Sequence, residues 1–290
     1  MMTDMPLASP PSVPLPDLAC DAHAHVLGPY DRFPLAQERS YTPPEATAEM
    51  HRTMLGALGF ARGVFVQPTA YGDDNGCLID AIAQAPHARA GIGVAEPETS
   101  VEHLAGLRAA GLRGLRFVEM LSQRYGGRPK GSCGFAELYD MAPRLREAGL
   151  HAQLFSKTET FAEHMPRLLD TGLPLVLDHM ATVGKSAGGV DDPAFQTLLA
   201  LLREGRIWVK LTVVRRSTEA PHYADARPFH DALIEANLDR LVWGTDWPFV
   251  NMAHKPDLGG LIDLFDSWTA DETIRRKVFV DNPATLYGFG

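Results

Sequence analysis

Several side chains in this sequence are of types that can do chemistry together. His23 and His25 are separated by a single alanine. His179 follows Asp178 at the end of an apolar run, and Asp246 lies inside Trp243-Gly244-Thr245-Asp246-Trp247-Pro248. Residues two apart on a strand face the same side, so His23 and His25 can act on one object. Two imidazoles can bind a metal ion or polarise a carbonyl oxygen. An aspartate in a partly closed cleft can take a proton from water. Arg116 and the neighbours Arg215 and Arg216 offer planar guanidinium forks that match a carboxylate. Each type also has an ordinary structural role: a packed core histidine, a turn-capping aspartate, a solvated arginine. The chemical reading rests on where these residues fall along the chain.

They fall at the ends of predicted strands. Short apolar runs at 19–25, 62–67, 90–95, 114–118, 151–155, 175–179, 207–212 and 241–246 read as strands. Stretches such as 101–110, 135–148, 160–171 and 193–204 carry apolar residues at helical spacing, as in Leu138, Met141 and Leu145. Gly111, Gly149, Gly172 and Gly205 stand where a left-handed helix C-cap is wanted. Eight alternating strand–helix units predict an α/β fold, a single (β/α)8 TIM-type barrel with parallel strands. An open doubly wound sheet would want a glycine-rich turn after its first strand, where this chain has His23 and His25. Active sites of such barrels lie at the C-terminal ends of the strands. Gln67, Thr69, Gln153, Lys210 and Thr212 join the histidines, arginines and Asp246 at that end.

The chain has 290 residues, 45% hydrophobic and 22% charged, enough for one large core. Residues 1–17, with five prolines, read as an extended arm, and 18–290 as the barrel. A net charge of −9 argues against nucleic-acid partners. It leaves room for a small anionic substrate bound by local arginines. No apolar run is long enough to span a membrane, and the acidic, proline-rich start is unlike a signal peptide. Cys20, Cys77 and Cys133 are scattered, which fits a reducing cytoplasm. Nothing points to a particular oligomer. The glycine-rich stretch 181–192 lacks a phosphate-loop pattern and reads as a mobile loop over the site. The charged residues at 271–277 read as a solvated helix face.

Strand one His-x-His, a strand-six histidine and a strand-eight aspartate together resemble the amidohydrolase superfamily. Tyr41-Thr42-Pro43-Pro44, Phe65-Val66-Gln67-Pro68-Thr69-Ala70-Tyr71, Val209-Lys210-Leu211-Thr212, the Trp243–Pro248 segment and Asp281-Asn282-Pro283-Ala284 resemble its 2-pyrone-4,6-dicarboxylate lactonase group. That group also holds sulfomuconolactone and sugar-lactone hydrolases and a galactarolactone isomerase. The resemblance implies that Asp246 is the general base or acid, and that His23, His25 and His179 sit at a lactone carbonyl. Tyr41, Thr69, Arg116 and Arg216 match its substrate-gripping positions. Thr69 stands where the group has serine, and Arg215 where it has an aromatic residue. The segment 118–128 matches poorly, so a second family arginine there is Arg124, Arg128 or absent. A binuclear metal site is disfavoured, because strands four and five offer Arg116 and Gln153, and arginine cannot ligate. The resemblance implies chemistry that requires no metal; a single divalent ion such as zinc on His23, His25 and Asp246 stays open. The expected activity is reversible hydrolysis of a carboxylated lactone. The alternatives are a sugar-lactone or muconolactone hydrolase, or a lactone isomerase or decarboxylase.

Overall fold

A computed structural model describes residues 5–121, 126–182 and 188–290. Eight parallel strands run in sequence order: β1 Cys20–Ala24, β2 Arg62–Val66, β3 Arg89–Gly93, β4 Leu112–Val118, β5 His151–Phe155, β6 Leu175–Leu177, β7 Ile207–Lys210 and β8 Leu241–Val242. The seam between β8 and β1 is closed by backbone hydrogen bonds. Ala22 N donates to Trp243 O at 2.9 Å, Asp246 N to His23 O at 2.8 Å, and His25 N to Trp247 O at 2.8 Å. The expected parallel barrel is therefore the fold.

Around it lie α1 Ala48–Leu58, α2 Gly76–Ala83, α3 Val101–Ala109, α4 Phe135–Ala148, α5 Thr158–Asp170, α6 Pro193–Arg203, α7 Arg227–Ala236, α8 Leu258–Trp268, α9 Glu272–Arg276 and α10 Asn282–Tyr287. Gly111, Gly149, Gly172 and Gly205 all adopt positive φ just after helices, as a left-handed cap requires. The strands alternate between two apolar clusters. Phe65, Phe117, Leu154, Leu177 and Val209 face the helices. Val64, Val66, Ile92, Val176 and Val242 fill the barrel interior with Tyr287 from α10. The catalytic end rests on this apolar plug.

Two expectations are corrected. The predicted strands six, seven and eight run past the observed ones, and beyond six and eight the chain turns left-handed. His179, Met180, Ala181 and Thr182 all have φ between 46° and 56°, and Asp246 has φ 65°. Such non-glycine conformations are strained and cluster at functional sites. The charges at 271–277 are not all solvated: Arg275 is buried, its Nε 2.6 Å from Asp266 Oδ1. Its terminal nitrogens donate to the Val13 and Pro14 carbonyls. The arm, residues 5–17 as described, thus lies along α8 and α9, with Ser9 and Ser12 on Asp257 and Asp263. The loop expected over the site falls partly outside the described residues, at 183–187.

Candidate active site

The first strand carries an irregularity that decides where its histidines point. Asp21 pairs with Gly63 and Ala24 with Phe65, so three steps on β1 oppose two on β2. This bulge turns consecutive residues to the same side. Asp21 faces outward and accepts from Thr245 N at 2.8 Å and Thr245 Oγ1 at 2.7 Å. Ala22 and His23 both face inward, and His25 follows. Glycine is required at position 244, because a Cβ there would come within 2.6 Å of the His23 backbone nitrogen. The Trp-Gly-Thr-Asp segment can therefore press against β1 and deliver Asp246 beside both imidazoles.

The buried cluster is tight. Asp246 Oδ1 lies 3.5 Å from His25 Nε2 and 3.7 Å from His23 Nε2. The His23 ring is 5.2 Å from the His25 ring and 4.8 Å from that of His179. Arg215 Nε donates to Asp246 Oδ2 at 2.6 Å. Burial opposes the charge on Asp246, but the Arg215 guanidinium beside it holds the carboxyl well below the usual carboxylate range. Burial pushes the His179 imidazole down to about 4, against the pull of Asp246 and Asp178. Burial and Lys210 likewise hold His23 well below the ordinary histidine value, against the pull of Asp178.

A second carboxylate lies behind the first. Asp178 Oδ2 accepts Arg116 Nε at 3.1 Å and lies 3.0 Å from Arg116 Nη2. Burial raises the pKa of Asp178, but the Arg116 and Lys210 charges overcome it and hold the carboxyl well below the usual carboxylate range. Arg116 and Arg215 are thus held alike, each with its Nε on a buried aspartate. Both line one cavity of about 250 Å³, with His25, Tyr41, Thr69, His179 and Asp246. Its apolar wall includes Val118, Met120, Phe155 and Val250. Thr69 Oγ1 and Tyr41 Oη share a hydrogen bond of 3.3 Å at one side.

Seven of the eight residues singled out from the sequence come together here: His23, His25, His179, Asp246, Arg116, Tyr41 and Thr69. Arg216 does not, which corrects the expectation that it grips substrate. Its Nη1 donates to Asp225 Oδ2 at 3.0 Å, and its guanidinium lies over the Phe229 ring at 4.2 Å. Its neighbour Arg215 takes the cavity. Arg124 lies outside the described residues. Arg128 is paired with Glu137 at 2.8 Å and does not line the cavity. Sequence reasoning left Asp178 and Lys210 without roles, although both sit on strand ends.

His23 Nε2, His25 Nε2 and Asp246 Oδ1 are of the right kind, and close enough together, to hold one divalent ion. His23 Nε2 and Asp246 Oδ1 also lack hydrogen-bond partners. The donor positions therefore fit a metal. The surrounding charge weighs the other way: Arg116, Arg215 and Lys210 already outnumber Asp178 and Asp246, and a divalent cation would add to that excess.

The amidohydrolase family model matches residues 20–289. A 2-pyrone-4,6-dicarboxylate hydrolase of Comamonas testosteroni is 35% identical, across 96% of this chain and 93% of its own length. A 4-sulfomuconolactone hydrolase of Hydrogenophaga intermedia is 31% identical, across 94% and 90%. The crystal structure of a probable 2-pyrone-4,6-dicarboxylic acid hydrolase of Acinetobacter baumannii, with citric acid bound, superposes with a TM-score of 0.78. It is 25% identical and covers 94% of this chain and 100% of its own.

Proposed function

The chain belongs to the amidohydrolase family, and we propose that it is a lactonase that opens the ring ester of a carboxylated lactone, most like 2-pyrone-4,6-dicarboxylate. The observation that carries this reading is the pairing of two anchored guanidinium groups with Asp246, His25 and His179 in one small cavity, with His23 buried beside Asp246. The whole chain has a net charge of −9, yet the charged groups at the barrel mouth sum to a positive field. A local positive cleft in an acidic protein draws and orients an anion. Arg116 presents its free edge to one substrate carboxylate and Arg215 to a second acidic group. Phe155, with the Arg116 guanidinium 5.2 Å over its ring, forms a flat apolar wall for an unsaturated ring.

Water adds to the lactone carbonyl carbon, and Asp246 takes the proton that water gives up. Negative charge that develops on the carbonyl oxygen meets an imidazole N–H group at the mouth. Loss of one such donor typically costs ~3 kcal/mol of barrier. The ring C–O bond then breaks, and Asp246 returns its proton to the ring oxygen. A substrate anion that engages Arg215 draws some of its charge away from Asp246 and restores basicity to the carboxylate. A divalent ion held by His23, His25 and Asp246 would supply Lewis-acid polarisation of the same carbonyl; the residues described otherwise bind, orient and move the proton.

Asp246→Asn tests the reading. Asparagine keeps the shape and an oxygen for Arg215 but cannot take a proton. Turnover should fall by ~10²–10⁴, while carboxylated lactones still bind. Near-normal rates would remove Asp246 from the chemistry. Pyrone, muconolactone and sugar lactones, assayed with and without chelator in ¹⁸O water, separate hydrolysis from isomerisation and fix the metal requirement. Solvent oxygen enters the product only if water attacks.

A further inference from the structure

The hydrolysis above gives Lys210 no task, yet a lysine is rarely buried without one. Lys210 is the last residue of β7 and is wholly buried inside the barrel. Its Nζ donates to the Ala22 carbonyl at 2.9 Å and lies 3.5 Å from His23 Nδ1 and 3.7 Å from Asp178 Oδ1. The His23 ring nitrogen thus has a donor on one side and an acceptor on the other, and the two demand opposite tautomers. Asp178 Oδ1 is nearer, at 3.3 Å, but has no hydrogen-bond partner. Lys210 does lie in position to donate.

We propose that Lys210 is a positioning residue that holds His23 as its Nε2–H tautomer, so that His23 points a hydrogen-bond donor, and not a lone pair, toward Asp246 at the floor of the site. Nε2 has no partner among the described residues, and the nearest carboxylate oxygen, Asp246 Oδ1, is 3.7 Å away, too far for a hydrogen bond. A buried donor without an acceptor calls for a visiting one, and a lactone carbonyl oxygen is an acceptor. His25 differs: its Nδ1 lies 2.7 Å from the Val66 carbonyl, which can only accept, so that nitrogen carries its proton. The two histidines of the His-x-His pair are therefore set in opposite senses by their backing groups. To ligate a metal, His23 would have to release its Nε2 proton, carry one on Nδ1 toward Asp178, and give up the Lys210 contact. The tautomer stands on this geometry alone; its use in catalysis rests on the lactone-opening reading.

Long-range ¹H–¹⁵N spectra of the ligand-free enzyme labelled with ¹⁵N-histidine read the tautomer directly, with the His23 signals assigned by their loss in His23→Gln. Nδ1 should resonate as a pyridine-type nitrogen and Nε2 as a pyrrole-type one. The reverse pattern in the wild type overturns the proposal, whatever any variant does. Lys210→Met keeps the stem and removes the donor. His23 should then switch to Nδ1–H on Asp178, and kcat on the best lactone should fall by ~10²–10³, with KM changed less than about threefold. A Lys210→Met enzyme with an unchanged His23 tautomer, or with an unchanged kcat, also overturns it. A wild type that shows the expected tautomer but turns over no lactone refutes the functional reading and leaves the assignment standing.

Discussion

Replacing Arg116 by methionine separates substrate recognition from the integrity of the site. Arg116 is 7% exposed, with Nε and Nη2 on Asp178 Oδ2 at 3.1 and 3.0 Å. Two consequences follow. A carboxylated lactone loses a charge-assisted contact of about 1.5–3 kcal/mol, or roughly 10- to 150-fold in kcat/KM. Asp178 loses its closest cation. Breaking a buried pair commonly costs about 3–5 kcal/mol of stability. The low end applies here, because Lys210 stays 3.7 Å from the other oxygen. At an effective dielectric near 20, that remaining pair still attracts by about 4 kcal/mol. Steady-state rates on a dicarboxylated and a neutral lactone of similar ring, with urea unfolding of the same preparations, measure both effects. Rearrangement behind the site lowers both rates, so the ratio of the two losses is the quantity to read. A tenfold or greater excess loss on the dicarboxylate is expected. Equal losses on the two substrates would refute the clamp.

Acid should destabilise the fold well above the carboxylate range. Burial holds His51 and His151 down to about 3, His179 and His230 to about 4, and His23 low as well. Each binds a proton when unfolded, near 6.5, before it can when folded, so stability falls as pH drops from 6.5 toward 4. Asp21, raised by burial to about 6, works in the opposite sense below that pH. Five imidazoles against one carboxyl leave a net uptake of about four protons on unfolding, each worth up to about 1.4 kcal/mol per pH unit. Unfolding free energies that stay flat from pH 7 to 5 would contradict this. Arg275→Met should release the arm. We propose that residues 1–17 are an appendage tied down chiefly there, so cleavage within 5–17 should quicken and Tm should fall by about 2–6 °C. kcat/KM should hold, and its loss in a folded variant would count against an appendage role.

The β/α alternation, the eight strands and the residues at their ends were legible because they depend on local period. A strand repeats every two residues and a helix every 3.6, so burial patterns show in composition alone. The helix-capping glycines were legible for a similar reason, since positive φ is a single-residue demand. Arg275 was misread as solvated, because what buries it is the arm, 261 residues earlier in the chain. Arg215 and Arg216 show the same limit at the site. As adjacent arginines beyond one strand, they are chemically equal. The path of the loop sends one to Asp246 and the other to Asp225.

His23 and Lys210 mark the boundary between the two kinds of knowledge. The His-x-His pair, Asp246 and the family motifs determined the barrel, the end of it that works and most of the residues gathered there. Only the folded chain decided that a bulge between Asp21 and Ala24 turns His23 inward. Only there does a lysine from β7, 187 residues away, reach its ring nitrogen. Both depend on strand register and on contacts across the barrel. Those are fixed by the packing of the whole ring of strands and leave no periodic trace in the chain.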